Sequence, residues 1–130
     1  MTFDINVLIG QWPAILSGAG VTIMIWVLGT IAAAVMGFLL AIARQYGGMV
    51  VDKILGVIVA VLRGTPFLIQ IFLVYYGGPF IGLELDPLPA GLIGISIYGA
   101  AYFSEIFRSG FQAVPKGHIE AGECVGLTRG

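Results

Sequence analysis

The sequence predicts an all-α integral membrane protein, with three transmembrane helices and a short cytoplasmic helix after the third. Its 130 residues are 58% hydrophobic and only 10% charged, with a mean hydropathy of +1.02. A soluble domain carries roughly a quarter charged residues, and six basic and seven acidic side chains are too few to clothe a domain of this length in water. The apolar surplus also falls into three blocks separated by turn residues or charges, as spans do. Net charge is −1 and no basic run is interleaved with aromatics, so a nucleic-acid partner is excluded. The single cysteine, Cys124, can form no intrachain disulfide and has no neighbour at metal-ligand spacing.

The first block contains no charge between Asp4 and Arg44, and Val21 to Ala43 exceeds the roughly 20 residues that cross a bilayer. No Lys or Arg precedes it and its length far exceeds a signal peptide's apolar core, so it reads as a span that is kept. Gln11 to Gly18, with Trp12 and Pro13, reads as an interfacial lead-in. The second block, Val50 to Leu83, is too long for one upright helix. Pro66 has no N–H and Gly64 is permissive, which predicts an interfacial helix to about Leu62, a break, and a span starting at Phe67; one long tilted helix is the alternative. Gly77-Gly78-Pro79 ends that span, and Glu84, Asp86, Pro87 and Pro89 form a polar turn. The third block runs from Leu88 to Ser104, and the chain is polar from Glu105 onward. There is no internal repeat or linker, so residues 1–130 read as a single transmembrane domain.

Basic residues set orientation because Lys and Arg near span ends stay cytoplasmic. Arg44 and Lys53 lie between the first and second spans, while Arg108, Lys116 and Arg129 follow the third; the N-terminus and the 77–88 turn have none. The N-terminus is therefore expected outside, with residues 109–130 in the cytoplasm and Arg63 near the same face.

Gly29, Ala33, Gly37 and Ala41 repeat every four residues. Such a stripe lets helix backbones approach closely in lipid, where no hydrophobic force drives them together. Arg63-Gly64-Thr65-Pro66 sets a charge beside a helix break, with Gln70 one turn on. Two readings stand: Gln70 and carbonyls freed near Pro66 line a polar path, or Arg63 snorkels to headgroups while Gln70 bonds another helix. Glu105 and Arg108 are spaced to pair on one helix face, and Tyr98 and Tyr102 share another, facing either a cavity or the interface. Thr65, Gln70, Tyr98, Tyr102 and Glu105 are thus the candidates for a path. Pro115 suits a helix start and Gly126 a left-handed stop, which frames a short helix over residues 115–126. His118 there has no partner at catalytic spacing. Nor is there a P-loop, a Ser/His/Asp set or a carboxylate pair, so no enzymatic centre is expected in this chain.

Three segments resemble the permease subunits of polar amino acid ABC importers of the histidine/glutamine/arginine type: Leu62 to Gln70 with Tyr75-Tyr76-Gly77, Ala101 to Gly110, and Val114 to Gly117 leading into the following loop. The resemblance implies the MetI-like, binding-protein-dependent permease fold in a bacterial inner membrane. It further implies that 115–127 begins the family's Glu-Ala-Ala loop, with Lys116, Gly117, Glu120, Ala121, Gly122 and Gly126 forming a coupling helix that docks on the ATP-hydrolysing subunit. ATP and Mg would then be held by that ATPase and by no group of this chain. The other implied partners are a second permease subunit, a periplasmic or lipid-anchored solute-binding protein, membrane lipid and a polar amino acid. Gly122 stands where the pattern has Ala, loosening the helix by roughly 1 kcal/mol. Family members continue through two more spans, so the chain is expected to be their N-terminal part. A membrane interaction protein without transport, and a small proton-coupled carrier using Glu105 and Gln70, are the rival readings.

Overall fold

The computed structural model describes residues 10–127. The expectations attached to the N-terminus and to Arg129 lie outside these residues. Among the described residues the α-helices run in order as α1 Trp12–Tyr46, α2 Gly48–Gly64, α3 Phe67–Gly77, α4 Pro87–Gln112 and α5 Lys116–Cys124, with a 3₁₀ turn Gly78–Ile81 after α3.

The expected lead-in is not a separate element, because residues 12–18 are the opening turns of α1. Pro13 falls in the first turn, where a missing N–H is no loss. With 35 residues, α1 is about 52 Å long at 1.5 Å per residue and outreaches a hydrocarbon core of about 30 Å. Among the described residues α1 and α4 are each long and apolar enough to cross a membrane, and α2 with α3 makes a third crossing if the bent pair counts as one. The bend is 103°, which decides against a single tilted helix across Val50–Leu83.

The core is a seam between α1 and α4. Buried positions on α1 are Gly29, Ala33, Gly37 and Ala41, the four members of the small-residue stripe. They face Ile95, Gly99, Ala100 and Phe103: a Cβ built on Gly29 would lie 2.5 Å from Ile95 Cγ2, and one on Gly99 would lie 2.7 Å from Ala33 Cβ. Residue numbers rise together along the seam, so the two helices run parallel, and the α2–α3 pair carries the chain back between them. Small residues recur on the α4 side, where Ala90, Gly94, Ala100, Ala101 and Ser104 are buried. Backbone proximity supplies the dispersion contact that large side chains supply in a soluble core. The large apolar residues point outward instead, with Trp26, Leu39, Leu73 and Ile106 all exposed, as the apolar solvent of a bilayer requires.

Candidate functional site

The break between α2 and α3 follows from Pro66. A proline offers no N–H to the carbonyl four residues earlier, so Leu62 O loses its helical donor, and Thr65 leaves the helix in an extended conformation (φ −99°, ψ 132°). Side chains serve the carbonyls of this elbow. Gln70 Nε2 donates to Leu62 O at 2.6 Å and to Thr65 O at 3.0 Å. The Thr65 hydroxyl donates to Val61 O at 2.7 Å, and the Tyr102 hydroxyl to Arg63 O at 3.5 Å. Gln70 is only 9% exposed, and its Oε1 is buried without a hydrogen-bond partner. That orientation is forced, since only the NH₂ end can satisfy two carbonyls.

Gln70→Leu is therefore expected to cost about 2 kcal/mol, the usual range for stranded buried acceptors. Gln70→Glu should cost more, because an ionised carboxylate would face two carbonyls with no proton to offer. Melting temperatures of the two purified variants, followed by size-exclusion fluorescence, check this order.

Beside the elbow an aromatic ladder climbs α4. The rings of Phe67 and Tyr98 are 5.2 Å apart and those of Tyr98 and Tyr102 are 4.9 Å apart, while the Arg63 guanidinium carbon sits 5.2 Å from the Tyr102 ring centre. The Tyr98 hydroxyl donates to that of Tyr102 at 3.1 Å. At the ladder's foot a cleft of about 370 Å³ opens between α1, α3 and α4, lined by residues that include Trp26, Thr30, Phe67, Tyr98 and Phe103.

One turn beyond Tyr102, Glu105 occupies a different environment. Its Oε2 accepts from Arg108 Nη2 at 2.7 Å and Nε at 3.2 Å, and its Oε1 accepts from Arg44 Nη1. Arg44 Nε also donates to Asp52 at 2.9 Å, and the Arg44 side chain is only 8% exposed. Four charges on α1, α2 and α4 thus alternate in sign and sum to zero. The Glu105–Arg108 pair is the one its spacing predicts; the contact with Arg44 is not anticipated by it. A signal does exist, because Arg44 lies three residues after Ala41 and so continues the buried stripe toward α4. A cation on that face requires an acid opposite.

The sequence candidates therefore separate in space. Thr65, Gln70, Tyr98 and Tyr102 gather at the elbow, and Glu105 belongs to the ionic cluster. Lys116, Gly117, Glu120, Ala121, Gly122 and Gly126 lie on or just after α5, whose residues are exposed apart from a half-buried Gly122. Gly126 takes φ 85°, Leu127 N–H returns to Gly122 O at 3.0 Å, and Gly126 N–H to Glu123 O at 3.0 Å. This double closure is the Schellman stop, which needs a residue without a Cβ at the left-handed position. Among the described residues no three of His, Cys, Asp and Glu come together to hold a metal.

Comparison with known proteins gives these features a context. Residues 33–130 match the family described as the binding-protein-dependent transport system inner membrane component. The chain is 36% identical over 131 residues to the glutamine transport system permease protein of Escherichia coli (strain K12), covering 99% of this chain and 60% of that protein. It is also 36% identical to the L-cystine transport system permease protein of Bacillus subtilis (strain 168), over 90% of this chain and 50% of that one. A crystal structure of an amino acid ABC transporter with histidines superposes with a TM-score of 0.89 at 30% identity, covering 99% of this chain and 60% of that chain. The chain thus spans about 60% of the length of the first of these relatives.

Proposed function

We propose, from the premise that this chain belongs to the family of binding-protein-dependent transport system inner membrane components, that it is membrane-spanning material of an ATP-driven amino acid importer. Residues 1–130 act as one transmembrane unit that supplies a wall of the solute path and the contact with an ATPase. The solute is a polar amino acid delivered by a binding protein at the outer face, and a second permease chain closes the path. The chain performs no catalysis, and ATP and Mg are bound by the ATPase.

The observation that carries this reading is α5. It is a nine-residue helix closed at its C-terminus by the Schellman stop, lying inside the family match, and it follows the end of α4 that also bears the ionic cluster. Because α1 and α4 are parallel, their C-terminal ends, α2 and α5 share one end of the bundle. Arg44, Lys53, Arg63, Arg108 and Lys116 gather there, while the turn before α4 carries Glu84 and Asp86. That asymmetry supports a cytoplasmic location for α5 and an outer location for the 82–86 turn. A short stiff helix docked on a partner hands its rigid-body motion to α4, and the seam and ionic cluster pass it to α1 and α2. The carrier alternative loses ground, since both oxygens of Glu105 are engaged by arginines.

Glu120→Lys tests the reading. An exposed side chain on α5 contributes nothing to the bundle, so the variant is expected to insert normally yet lose most of its co-purification with the ATPase of the system. Retention of the ATPase at wild-type levels would remove α5 as the docking element.

A further inference from the structure

We propose that Arg63 is the point at which this chain recognises the carboxylate of the transported solute, an inference that rests on the importer reading. A guanidinium carries five N–H donors and no acceptor. Those of Arg44 and Arg108 are spent on carboxylates. The Arg63 guanidinium, in contrast, makes no ion pair or hydrogen bond among the described residues.

Arg63 is nonetheless held in place. Its guanidinium packs over the Tyr102 ring and its carbonyl receives the Tyr102 hydroxyl, which in turn receives that of Tyr98. Tyr102 thus offers Arg63 a ring face for its guanidinium and a hydroxyl for its carbonyl, and the guanidinium donors keep no partner among the described residues. A planar fork of donors fits a carboxylate in a bidentate manner, and stacking on an aromatic face reduces the freedom lost on binding. The same ladder of rings leads down to the cleft of about 370 Å³, a volume within the usual range for small-ligand sites. A solute held by its carboxylate at Arg63 would find Tyr98, Phe67 and Thr30 along that cleft for its remaining atoms. Asp52 and Glu105, the acids of the ionic cluster, are paired with Arg44 and Arg108 and not with Arg63.

The test uses the complete transporter in nanodiscs without its binding protein, so that selectivity belongs to the membrane subunits. Binding of L-glutamine and L-arginine is compared with that of their α-carboxamides, for the wild type and for Arg63→Gln, Arg63→Lys and Tyr102→Phe, with size-exclusion profiles confirming assembly. The wild type is expected to prefer a free acid over its amide by about tenfold to a hundredfold, the worth of charge-assisted hydrogen bonds. Arg63→Gln should abolish that preference by weakening the acid alone, Arg63→Lys should keep part of it, and Tyr102→Phe should reduce it. Equal weakening of acid and amide, or an unchanged preference in Arg63→Gln, overturns the inference and leaves the importer reading standing. The inference is likewise overturned if Arg63→Gln alters only the dependence on anionic lipid, since Arg63 would then grip a headgroup phosphate. A wild-type complex that binds neither acid nor amide, and drives no uptake once the binding protein is restored, removes the importer reading and this inference together.

Discussion

Gly37→Ala is expected to destabilise the protein, although glycine to alanine inside a helix normally adds up to about 1 kcal/mol. The added Cβ would lie 2.5 Å from Phe103 Cβ and 2.9 Å from Ala100 O. One of these is backbone, and the other is fixed to it, so neither can rotate away. The helices must part along their whole seam, at the cost of the close approach that holds them. Overpacking of this kind costs about 1–3 kcal/mol, and Gly37→Val, with two further methyls, should exceed that range and leave little folded protein. Gly91 supplies the contrast on α4, since a Cβ there meets nothing within 4 Å; Gly91→Ala should raise stability slightly. Reversible unfolding in SDS, followed by intrinsic fluorescence, measures both changes, and a like sign for Gly37→Ala and Gly91→Ala would refute the account of the seam.

The second large effect concerns Arg44. Arg44→Met leaves Glu105 with Arg108 alone and strands Asp52, and it deletes the cation that joins three helices. Hydrogen bonds to charged groups are worth about 1.5–3 kcal/mol each, and Arg44 makes two of them from a side chain that is 8% exposed. Arg108→Met removes a partly exposed pair within one helix and should cost less than about 1 kcal/mol. Glu105→Gln should resemble Arg44→Met more than Arg108→Met, because it removes one of the two carboxylates paired with the buried arginine. A larger loss for Arg108→Met than for Arg44→Met, in the same unfolding assay, would show that the three-helix bridge contributes little. Gly56 lets α2 approach the same group, since a Cβ there would lie 3.2 Å from Arg44 Nη2 and the guanidinium would have to give by a few tenths of an ångström.

Much of this architecture is legible in the residues because the bilayer leaves a chain few choices. Pro66 and the excess length of the second block dictate the elbow, and the stripe from Gly29 to Ala41 marks the buried face. Gly126 announces the end of α5 before any contact is known. What the sequence does not disclose is pairwise. The opening turns of α1 are helical because nothing in Gln11 to Gly18 opposes helix once Pro13 sits in the first turn, whereas composition alone equally suits an interfacial segment. Gln70 reads equally as a path-lining group or as a bond to another helix, and nothing in the sequence singles out Leu62 O and Thr65 O as the carbonyls it serves. Glu105 reads as half of a local pair until the parallel run of α1 and α4 brings Arg44 beside it, 61 positions away in the chain.

That separation bears on how the protein is made. Synthesis runs from the N-terminus, so Arg44 leaves the ribosome long before Glu105, while Asp52 follows it by only eight residues. During that interval Asp52 is the acid nearest to the arginine in the chain, and their pair is the first that can close. The ion pair with Glu105 forms once α4 is delivered, fastening the nascent bundle in a two-stage clasp whose first stage is local and whose second waits for that helix.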